Sequence, residues 1–423
     1  MFNSIDLKQL ILEQKEERRL MDNVPRQQFV KMQEFTQSRF VVIVMGIRRC
    51  GKSTLMQQIR DLQPEQDFCL SFEDERLVSF TLDDFQILLE TFIELFGEQK
   101  TLYFDEIQNI VGWELFIRRM HDYGYKIYIT GSNANLLSRE LGTHLTGRYV
   151  TLELYPYAFA EYCIARQHPV DITRKTTIQK SMHKKWLNEF QVEGGFPEYL
   201  QNPINEYLRT LYENILYRDI IKRYNLPHEK PIKELVVYLA SNIGKTVTYN
   251  SLSKTLGLSS GATIQEYFGY LENCYLFFIL HRYDVSLKKQ MIAPKKVFII
   301  DTALARVLGF RFSDDIGRFL ENIVFIELKR RYSENIYYHQ GKYECDFIIR
   351  EGIKIVQVIQ VTQHLRDIET KAREYRGLLE AMQAYQLNSG IILTENEQGE
   401  EEITESGVAY TIHIMPIAQW LLM

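Results

Sequence analysis

The 423-residue sequence lacks the features of a secreted or membrane protein. No run of 18 apolar residues appears, and the first 20 residues carry too many charges for a secretory signal, so a membrane span and a signal peptide are both disfavoured. The five cysteines are odd in number and scattered, without the paired spacing of a metal site. Free thiols of this kind are typical of a reducing compartment. We therefore expect a cytoplasmic protein with no membrane partner.

The sequence also has no excess of positive charge. Its 50 basic and 55 acidic residues give a net charge of −5, so no global field attracts nucleic acid and any DNA contact must be local. Residues 281–331 are the candidate, because this stretch has a surplus of lysine and arginine over acidic residues. Such a surplus binds phosphate backbones or simply forms a solvated surface. The chain is long enough for roughly two to four domains.

What the chain does contain is a phosphate-binding loop. An apolar strand pattern at 41–45 leads into the loop, and a helix with apolar periodicity follows it. Backbone N–H groups of such a loop surround the β-phosphate of a nucleotide at a helix N-terminus. Lys52 would contact the β- and γ-phosphates, and the Ser53 hydroxyl would ligate Mg²⁺. The predicted nucleotide-binding residues are Gly46, Ile47, Arg48, Arg49, Cys50, Gly51, Lys52, Ser53 and Thr54.

Two adjacent carboxylates end a second apolar strand pattern, about 50 residues after the loop. Neighbouring side chains on a strand point to opposite sides, so Asp105 and Glu106 are expected to have separate roles. Asp105 would hold Mg²⁺ through water. Glu106 would orient or deprotonate the attacking water. This pair raises the prediction from nucleotide binding to hydrolysis.

Three further residues are catalytic candidates with open alternatives. Ser132 and Asn133 follow a third strand pattern at 126–130, where they either sense the γ-phosphate or cap a helix that begins near Ala134. Arg148 precedes another strand and is the first candidate for the arginine that stabilises the transition state, often from a neighbouring subunit. A structural ion pair is the alternative for Arg148.

The second half of the chain indicates further modules. Residues from 155 to about 225 read as helices that would cover the nucleotide as a lid. Residues 229–285 have the helix and strand order of a winged helix. Its presumed recognition helix, 259–273, contains no lysine or arginine, which favours protein packing over sequence-specific DNA binding.

The last region has the element order of a restriction-type nuclease. Glu321 opens a helix, a hairpin brings Glu344 and Asp346 onto a strand, and the next strand pattern ends in Gln360-Val361-Thr362. An active enzyme would need Glu-x-Lys at those three positions, because the carboxylate holds the metal and the lysine supports the water nucleophile. We therefore expect an inactive nuclease-like domain, with only weak metal binding by its acidic residues. The acidic stretch 395–405 reads as a solvated loop.

These motifs together resemble the prokaryotic AAA-type ATPases with a C-terminal domain of unknown function. The residues that carry the resemblance are GIRRCGKSTLMQQI, YFDEIQNIVGWE, ITGSNANLL, LTGR, LYPYAFAEY, GGFPEYL, LYRDII, LENIVFIEL and ECDFIIREG. The resemblance implies ATP and Mg²⁺ as cofactors, a P-loop core with an additional strand, Lys52, Asp105 and Glu106 as Walker-type residues, and a homo-oligomer. It also implies a winged-helix segment and a nuclease-like fold.

The resulting prediction is an α/β protein with a doubly wound parallel-sheet P-loop ATPase core. We expect the core and an N-terminal helix at 1–154, a helical lid at 155–227, a winged-helix module at 228–285 and a nuclease-like α/β domain at 286–423. The predicted function is Mg-ATP hydrolysis that moves the C-terminal domains, with DNA as a candidate partner. Two alternatives stay open: a low-turnover ATP-gated switch or scaffold in a defence or DNA-processing complex, and a metal-dependent nuclease.

Overall fold

A computed structural model describes residues 4–17, 24–133, 145–169, 176–258, 260–310, 316–405 and 407–423. The chain divides into two compact units. The first unit is Met1–Pro156 together with Asn273–Tyr275, and the second is Tyr157–Glu272 together with Leu276–Met423.

A five-stranded parallel sheet forms the centre of the first unit. Its strands are β1 (Val41–Met45), β2 (Cys69–Ser71), β3 (Thr101–Asp105), β4 (Lys126–Gly131) and β5 (Tyr149–Glu153), in the order β2-β3-β4-β1-β5. All five residues of β1 are buried, as expected for a strand that is covered on both faces of a parallel sheet. The predicted α/β class with a parallel sheet is confirmed. β4 lies between β1 and β3, so the sheet contains the additional strand that the resemblance implied.

Within the described part of the unit, five α-helices accompany this sheet: α1 (Ser4–Glu17), α2 (Phe29–Thr36), α3 (Lys52–Arg60), α4 (Asp84–Phe96) and α5 (Trp113–Asp122). The apolar face of α4 is buried through Phe85, Leu88 and Phe92, and Phe92 stacks on Phe68 with 5.0 Å between the ring centroids. Gly97 ends α4 with a φ of 76°, which an L side chain rarely adopts. The helix therefore ends at Gly97, where glycine tolerates this backbone conformation.

The second unit begins with helices, as predicted for 155–225. They are α6 (Phe159–Ala165), α7 (Thr177–Glu193), α8 (Pro197–Gln201) and α9 (Asn205–Asn214), followed by a π-helical segment, Ile215–Ile221. The turn after α7 is specific: Gly194 has a φ of 67°, and a Cβ there would lie 2.3 Å from an Asp301 carboxylate oxygen. Asp301 accepts a hydrogen bond from the Gly195 backbone N–H at 2.7 Å. The Gly-Gly pair therefore lets the chain approach Asp301.

A small three-stranded sheet follows in the second unit. Its elements are α10 (Lys230–Ser241), β6 (Thr246–Val247), α11 (Tyr249–Thr255), α12 (Gly261–Asn273), β7 (Phe277–His281), α13 (Leu287–Ile292) and β8 (Lys295–Ile299), and the strand order is β6-β8-β7. Both pairings are antiparallel. The helices of the predicted winged helix are present, but the sequence interpretation did not include β6 and β8. The winged-helix assignment stays a prediction.

A six-stranded mixed sheet completes the second unit. Its elements are α14 (Thr302–Leu308), α15 (Ile316–Tyr332), β9 (Ile336–Gln340), β10 (Glu344–Glu351), β11 (Lys354–Val361), α16 (Ile368–Tyr385), β12 (Ser389–Thr394), β13 (Gly399–Glu405), β14 (Val408–Pro416) and α17 (Ile417–Leu421). The strand order is β13-β14-β12-β11-β10-β9. The predicted hairpin is the antiparallel pair β9 and β10. The solvated loop predicted for 395–405 was wrong for residues 399–405, which pair with β14 as an edge strand.

The core of this sheet is apolar. Ile348, Val358, Leu378, Ile392 and Ile412 are completely buried in it. The described helices include none with the length and apolar character required to span a bilayer.

Candidate functional site

The loop between β1 and α3 has a backbone that few residue types can form. Arg49 and Gly51 have positive φ values of 65° and 99°. Gly46 approaches the backbone so closely that a Cβ would lie 2.0 Å from the Leu154 carbonyl oxygen. The Cys50 thiol donates to that same carbonyl at 3.3 Å, and burial raises the pKa of Cys50 although Lys52 and Arg26 oppose the shift. Both glycines are therefore required by geometry, and Cys50 is a packed thiol.

Lys52 is the first residue of α3, and its ammonium lies inside the loop. Its Nζ donates to the carbonyl oxygens of Gly46 and Ile47 at 3.2 Å and lies 3.3 Å from Oε1 of Glu106. Burial disfavours the charge of Lys52, but nearby negative groups, of which the Glu106 carboxylate contributes most, together raise the pKa of Lys52. Burial likewise disfavours the charge of Glu106, but Lys52, Arg48 and the hydrogen bond from Gln108 together lower the pKa of Glu106. The two residues therefore form a buried ion pair.

Asp105 is surrounded by hydroxyl groups at the carboxyl end of β3. Ser53 donates to its two carboxylate oxygens at 3.0 and 2.9 Å, Ser71 donates at 3.1 Å and Thr130 at 2.5 Å. Asp105 itself is only 4% exposed. A serine hydroxyl beside a fixed carboxylate is an all-oxygen donor set of the kind that a hydrated Mg²⁺ prefers. Ser53 and Asp105 therefore fit the predicted metal site.

Glu106 has a strained backbone. Its φ and ψ are 51° and 40°, the left-handed region that a glutamate rarely adopts. The Glu106 N–H donates to the Thr130 hydroxyl at 3.0 Å, and the Gln108 amide donates to the Glu106 carboxylate. Non-glycine residues in this region persist where the surroundings fix them, and such sites are often functional. The contacts aim the Glu106 carboxylate into the loop.

Ser132 and Asn133 lie directly after β4, beside the ends of β1 and β3. Both side chains are buried, at 1% and 0% exposure. The Ser132 hydroxyl has no hydrogen-bond partner among the described residues. The helix start near Ala134 lies outside the described residues, so the capping alternative remains a prediction. A buried serine hydroxyl without a partner at this edge of the sheet is compatible with a ligand contact.

Comparisons with known proteins agree with this geometry. A model of the AAA domain matches residues 38–163, and a model of a domain of unknown function (DUF8612) matches residues 184–315. An uncharacterized protein of Methanocaldococcus jannaschii is 35% identical over 397 residues, which cover 90% of this chain and 88% of that protein. An uncharacterized protein of Haemophilus influenzae is 33% identical over 408 residues, which cover 92% and 96%.

The chain belongs to the family of AAA-type P-loop ATPases. The match to the domain of unknown function begins after the end of the AAA-domain match. Among solved structures, the RuvB Holliday junction branch migration motor of Thermotoga maritima is similar, with a TM-score of 0.30 and 16% identity over 60% of this chain and 89% of that chain.

Arg148 of this AAA-family chain lies at the amino ends of β1 and β5, whereas the phosphate loop follows the carboxyl end of β1. It immediately precedes β5, and its carbonyl accepts from the Val41 N–H at the start of β1. The loop begins where β1 ends, and five residues of strand separate these points by roughly 16 Å. The Arg148 guanidinium lies 3.4 Å from the Asp122 carboxylate. Arg148 therefore does not reach the phosphate loop of its own chain.

The sequence interpretation missed three residues of the site. Ser71 and Thr130 contact Asp105 from the carboxyl ends of β2 and β4, where a hydroxyl is a usable signal. Arg26 is buried, and its guanidinium donates to the carbonyl oxygens of Cys50 and Tyr155 at 2.7 and 2.5 Å. No spacing relative to the loop predicts Arg26, because it precedes the first strand.

The three acidic residues of the predicted nuclease-like site do come together in the second unit. They are Glu321 on α15 and Glu344 and Asp346 on β10, and all three carboxylates face one ammonium group, that of Lys296 on β8. Gln360 and Thr362 are buried beside them. Among the described residues, no group of three acidic, histidine or cysteine side chains has the arrangement of a metal site.

The basic stretch 281–331 has less free charge than its composition suggested. Among the described cations of this stretch, the following contact acidic groups or backbone carbonyls: Arg282, Lys295, Lys296, Lys329, Arg330 and Arg331. Lys288 and Lys289, both on α13, are exposed. A DNA contact through this stretch therefore remains a prediction with fewer candidate residues.

Proposed function

We propose that this protein binds and hydrolyses Mg-ATP at the loop after β1. The observation that supports this most strongly is the meeting of Lys52 and Ser53 with Asp105 and Glu106, two pairs that are about 50 residues apart in sequence. Ser53 lies 2.9 Å from Asp105, and Lys52 lies 3.3 Å from Glu106. Chance packing rarely puts a buried lysine and two acids beside a glycine-rich loop at a helix N-terminus.

In this proposal, each residue has one task. The backbone N–H groups of residues 46–54 bind the phosphates, and the Lys52 ammonium neutralises the charge that they bring. Ser53 and Asp105 hold Mg²⁺, Asp105 through water, and Ser71 and Thr130 keep the Asp105 carboxylate in position. When bound, Mg²⁺ supplies positive charge to the oxygens of the transferred phosphoryl group.

Glu106 is proposed as the general base. The Lys52 ion pair keeps its carboxylate ionised, and an ionised carboxylate can accept a proton from water. Once Lys52 contacts phosphate, Glu106 loses its strongest partner, which makes the carboxylate a better proton acceptor. The same contact that binds the nucleotide therefore activates the base.

The assembly that supports catalysis is proposed to be a homo-oligomer. The distance of Arg148 from its own loop argues that an arginine for the transition state comes from a neighbouring subunit. The need for an arginine from a neighbouring subunit also keeps the second candidate function, an ATP-gated switch or scaffold, open. A chain that binds ATP without an arginine in place turns over slowly, as a switch or scaffold does, until subunits or a DNA partner assemble. Movement of the second unit would be the output in either case.

A turnover assay of Glu106→Gln tests the proposal. The substitution keeps the shape of the side chain and removes the base, so we expect steady-state hydrolysis to fall by about 10²- to 10⁴-fold. Binding of Mg-ATP, measured by calorimetry, should persist. Glu98→Gln is the matched control, because Glu98 is exposed in the same unit.

Unchanged turnover in Glu106→Gln would remove the general-base assignment. Wild-type turnover measured with and without DNA separates the two candidate functions. Fast basal hydrolysis supports the ATPase, whereas tight binding with negligible turnover under both conditions supports the switch.

A further inference from the structure

Lys296 sits at the centre of the acidic group in the second unit. Its Nζ lies 2.8 Å from Oε1 of Glu321, 2.7 Å from Oε1 of Glu344 and 2.8 Å from Oδ1 of Asp346. The lysine side chain is 2% exposed. These are the lengths of strong, charge-assisted hydrogen bonds. The Glu321 and Asp346 oxygens accept hydrogen bonds from the ammonium, and the Glu344 contact is an ion pair.

The three carboxylates converge from separate elements. Glu321 comes from α15, the other two come from β10, and the lysine comes from β8, which belongs to a different sheet. Three carboxylates that meet at one point in a protein interior need a compensating cation, because each charge is costly to bury alone. In metal-dependent nucleases that cation is a divalent ion held by acidic residues. Here it is an amino group of the chain itself.

The surrounding contacts hold this arrangement in place. The second carboxylate oxygen of Asp346 accepts from the Val361 N–H at 2.9 Å. Gln360, at the position of the missing carboxylate, accepts from the Asp346 N–H at 3.2 Å and donates to Glu374. Gln360 is therefore held by neighbours and adds no charge. The Glu-x-Lys that a nuclease requires is absent. The residues at the first two of those positions, Gln360 and Val361, instead form hydrogen bonds with Asp346.

We propose that Lys296 is a built-in replacement for the divalent cation of a nuclease-type site. The ammonium offsets part of the negative charge of Glu321, Glu344 and Asp346 and ties β8 to α15 and β10, so that the second unit keeps its fold without metal and does not cleave DNA. This inference is independent of the proposed ATPase function. It replaces the expectation of weak metal binding by these acidic residues.

The site is also accessible to an ion from solution. A cavity of about 630 Å³ is lined by Glu321, Glu344, Asp346, Gln360 and Arg373 among other residues. If the lysine is removed, three carboxylates remain around a vacated position with an open path. The vacated position should then bind the ion that the lysine replaces.

Thermal unfolding of full-length, nucleotide-free protein with and without Ca²⁺ tests this proposal. We expect Lys296→Met to lower the midpoint of unfolding, and Ca²⁺ to restore it in a concentration-dependent way. Wild type and Lys288→Met, a variant of an exposed lysine, should show no such dependence on Ca²⁺. A Lys296→Met protein that folds and is equally unaffected by Ca²⁺ would overturn the proposal.

A second measurement covers the case in which Lys296→Met does not fold. Binding of Mn²⁺ to nucleotide-free wild type, Asp346→Asn and Asp105→Asn is followed by electron paramagnetic resonance. We expect any bound Mn²⁺ in wild type to be unaffected by Asp346→Asn and to be lost only in Asp105→Asn. Loss of bound Mn²⁺ in Asp346→Asn, or metal-dependent DNA cleavage by wild type that this variant abolishes, would overturn the proposal and leave the ATPase untouched.

Discussion

Two buried lysines, one in each unit, face carboxylates in different ways. Lys52 has a single carboxylate partner, Glu106, and its other contacts are the carbonyl oxygens of the loop at 3.2 Å. Lys296 has three carboxylate partners within 2.8 Å. The Lys52 ammonium makes only long contacts and lies in a loop shaped for phosphate. The Lys296 ammonium is surrounded by carboxylates whose combined negative charge exceeds its own positive charge.

The difference teaches how to interpret a buried lysine. An ammonium whose contacts are long and mostly to neutral carbonyl oxygens is free to exchange them for a ligand, whereas one with three short carboxylate contacts is itself the ligand of its site. Because both residues are about equally buried, burial alone does not separate the two roles. The lengths of the contacts and the charge of the partners do. The following variants test this distinction.

The largest effect is expected from replacing each lysine by methionine. Lys52→Met should weaken Mg-ATP binding by at least about 10²-fold, because it removes the cation at the phosphates. Lys296→Met should leave nucleotide affinity unchanged and reduce only stability. Isothermal titration of both variants provides the measurement, with Lys100→Met as the exposed control. Equal loss of affinity in the two variants would contradict the comparison.

A large effect is also expected from Arg148→Ala. If Arg148 acts on a neighbouring subunit, turnover should fall by about 10³-fold or more with little change in ATP affinity. Mixing this variant with Glu106→Gln should restore part of the activity, because some interfaces then combine an intact arginine with an intact base. Arg118→Ala is the matched control, since Arg118 contacts the same Asp122. Mixtures without recovered activity would exclude action between subunits.

A moderate effect on stability is expected from Gly194→Ala. Alanine at this position would have to adopt a φ of 67°, and its Cβ would lie 2.3 Å from the Asp301 carboxylate. We therefore expect the free energy of unfolding to fall by about 1–3 kcal/mol. Gly257→Ala is the control, because its φ is 65° but no atom lies within 4 Å of the added Cβ. Chemical denaturation monitors both variants. A larger loss in Gly257→Ala would contradict the role of Asp301.

The smallest effect is expected from Ser71→Ala. The variant removes one of the hydroxyl groups that hold Asp105, and one hydrogen bond contributes about 0.5–1.5 kcal/mol. The Mg²⁺ concentration for half-maximal turnover should therefore rise by a few-fold, without loss of nucleotide binding. Ser38→Ala is the control, because the Ser38 hydroxyl donates to the Phe35 carbonyl in the same unit. No change in Mg²⁺ dependence would show that Ser53 and Thr130 suffice.

More of the first unit than of the second was predictable from sequence. The loop, the apolar strand before it and the adjacent acids are local patterns, and parallel strands bring their carboxyl ends to one edge, so Lys52 and Glu106 could be expected to meet. The contacts of Lys296 with Glu321, Glu344 and Asp346 could not be predicted. No local sequence pattern indicates which strand of one sheet packs against a helix and a strand of another sheet. The lysine was counted only as part of a basic stretch.

Edge pairing explains why the loop prediction failed for residues 399–405. Residues 399–405 are rich in glutamate and polar, which indicates a solvated loop, but their backbone pairs with β14 and leaves those side chains exposed. An edge strand needs only one partner and tolerates charge. Arg26 was missed for a related reason, since its two carbonyl partners are far apart in sequence.

The most direct test is an experimental structure with Mg²⁺ and a non-hydrolysable ATP analogue. We predict that the Lys52 ammonium contacts a phosphate oxygen and has moved beyond 4 Å from Glu106, while Lys296 keeps all three carboxylate contacts. A loop without nucleotide at millimolar concentration, or a nucleotide bound while Lys52 still contacts Glu106 at 3.3 Å, would contradict the proposed site.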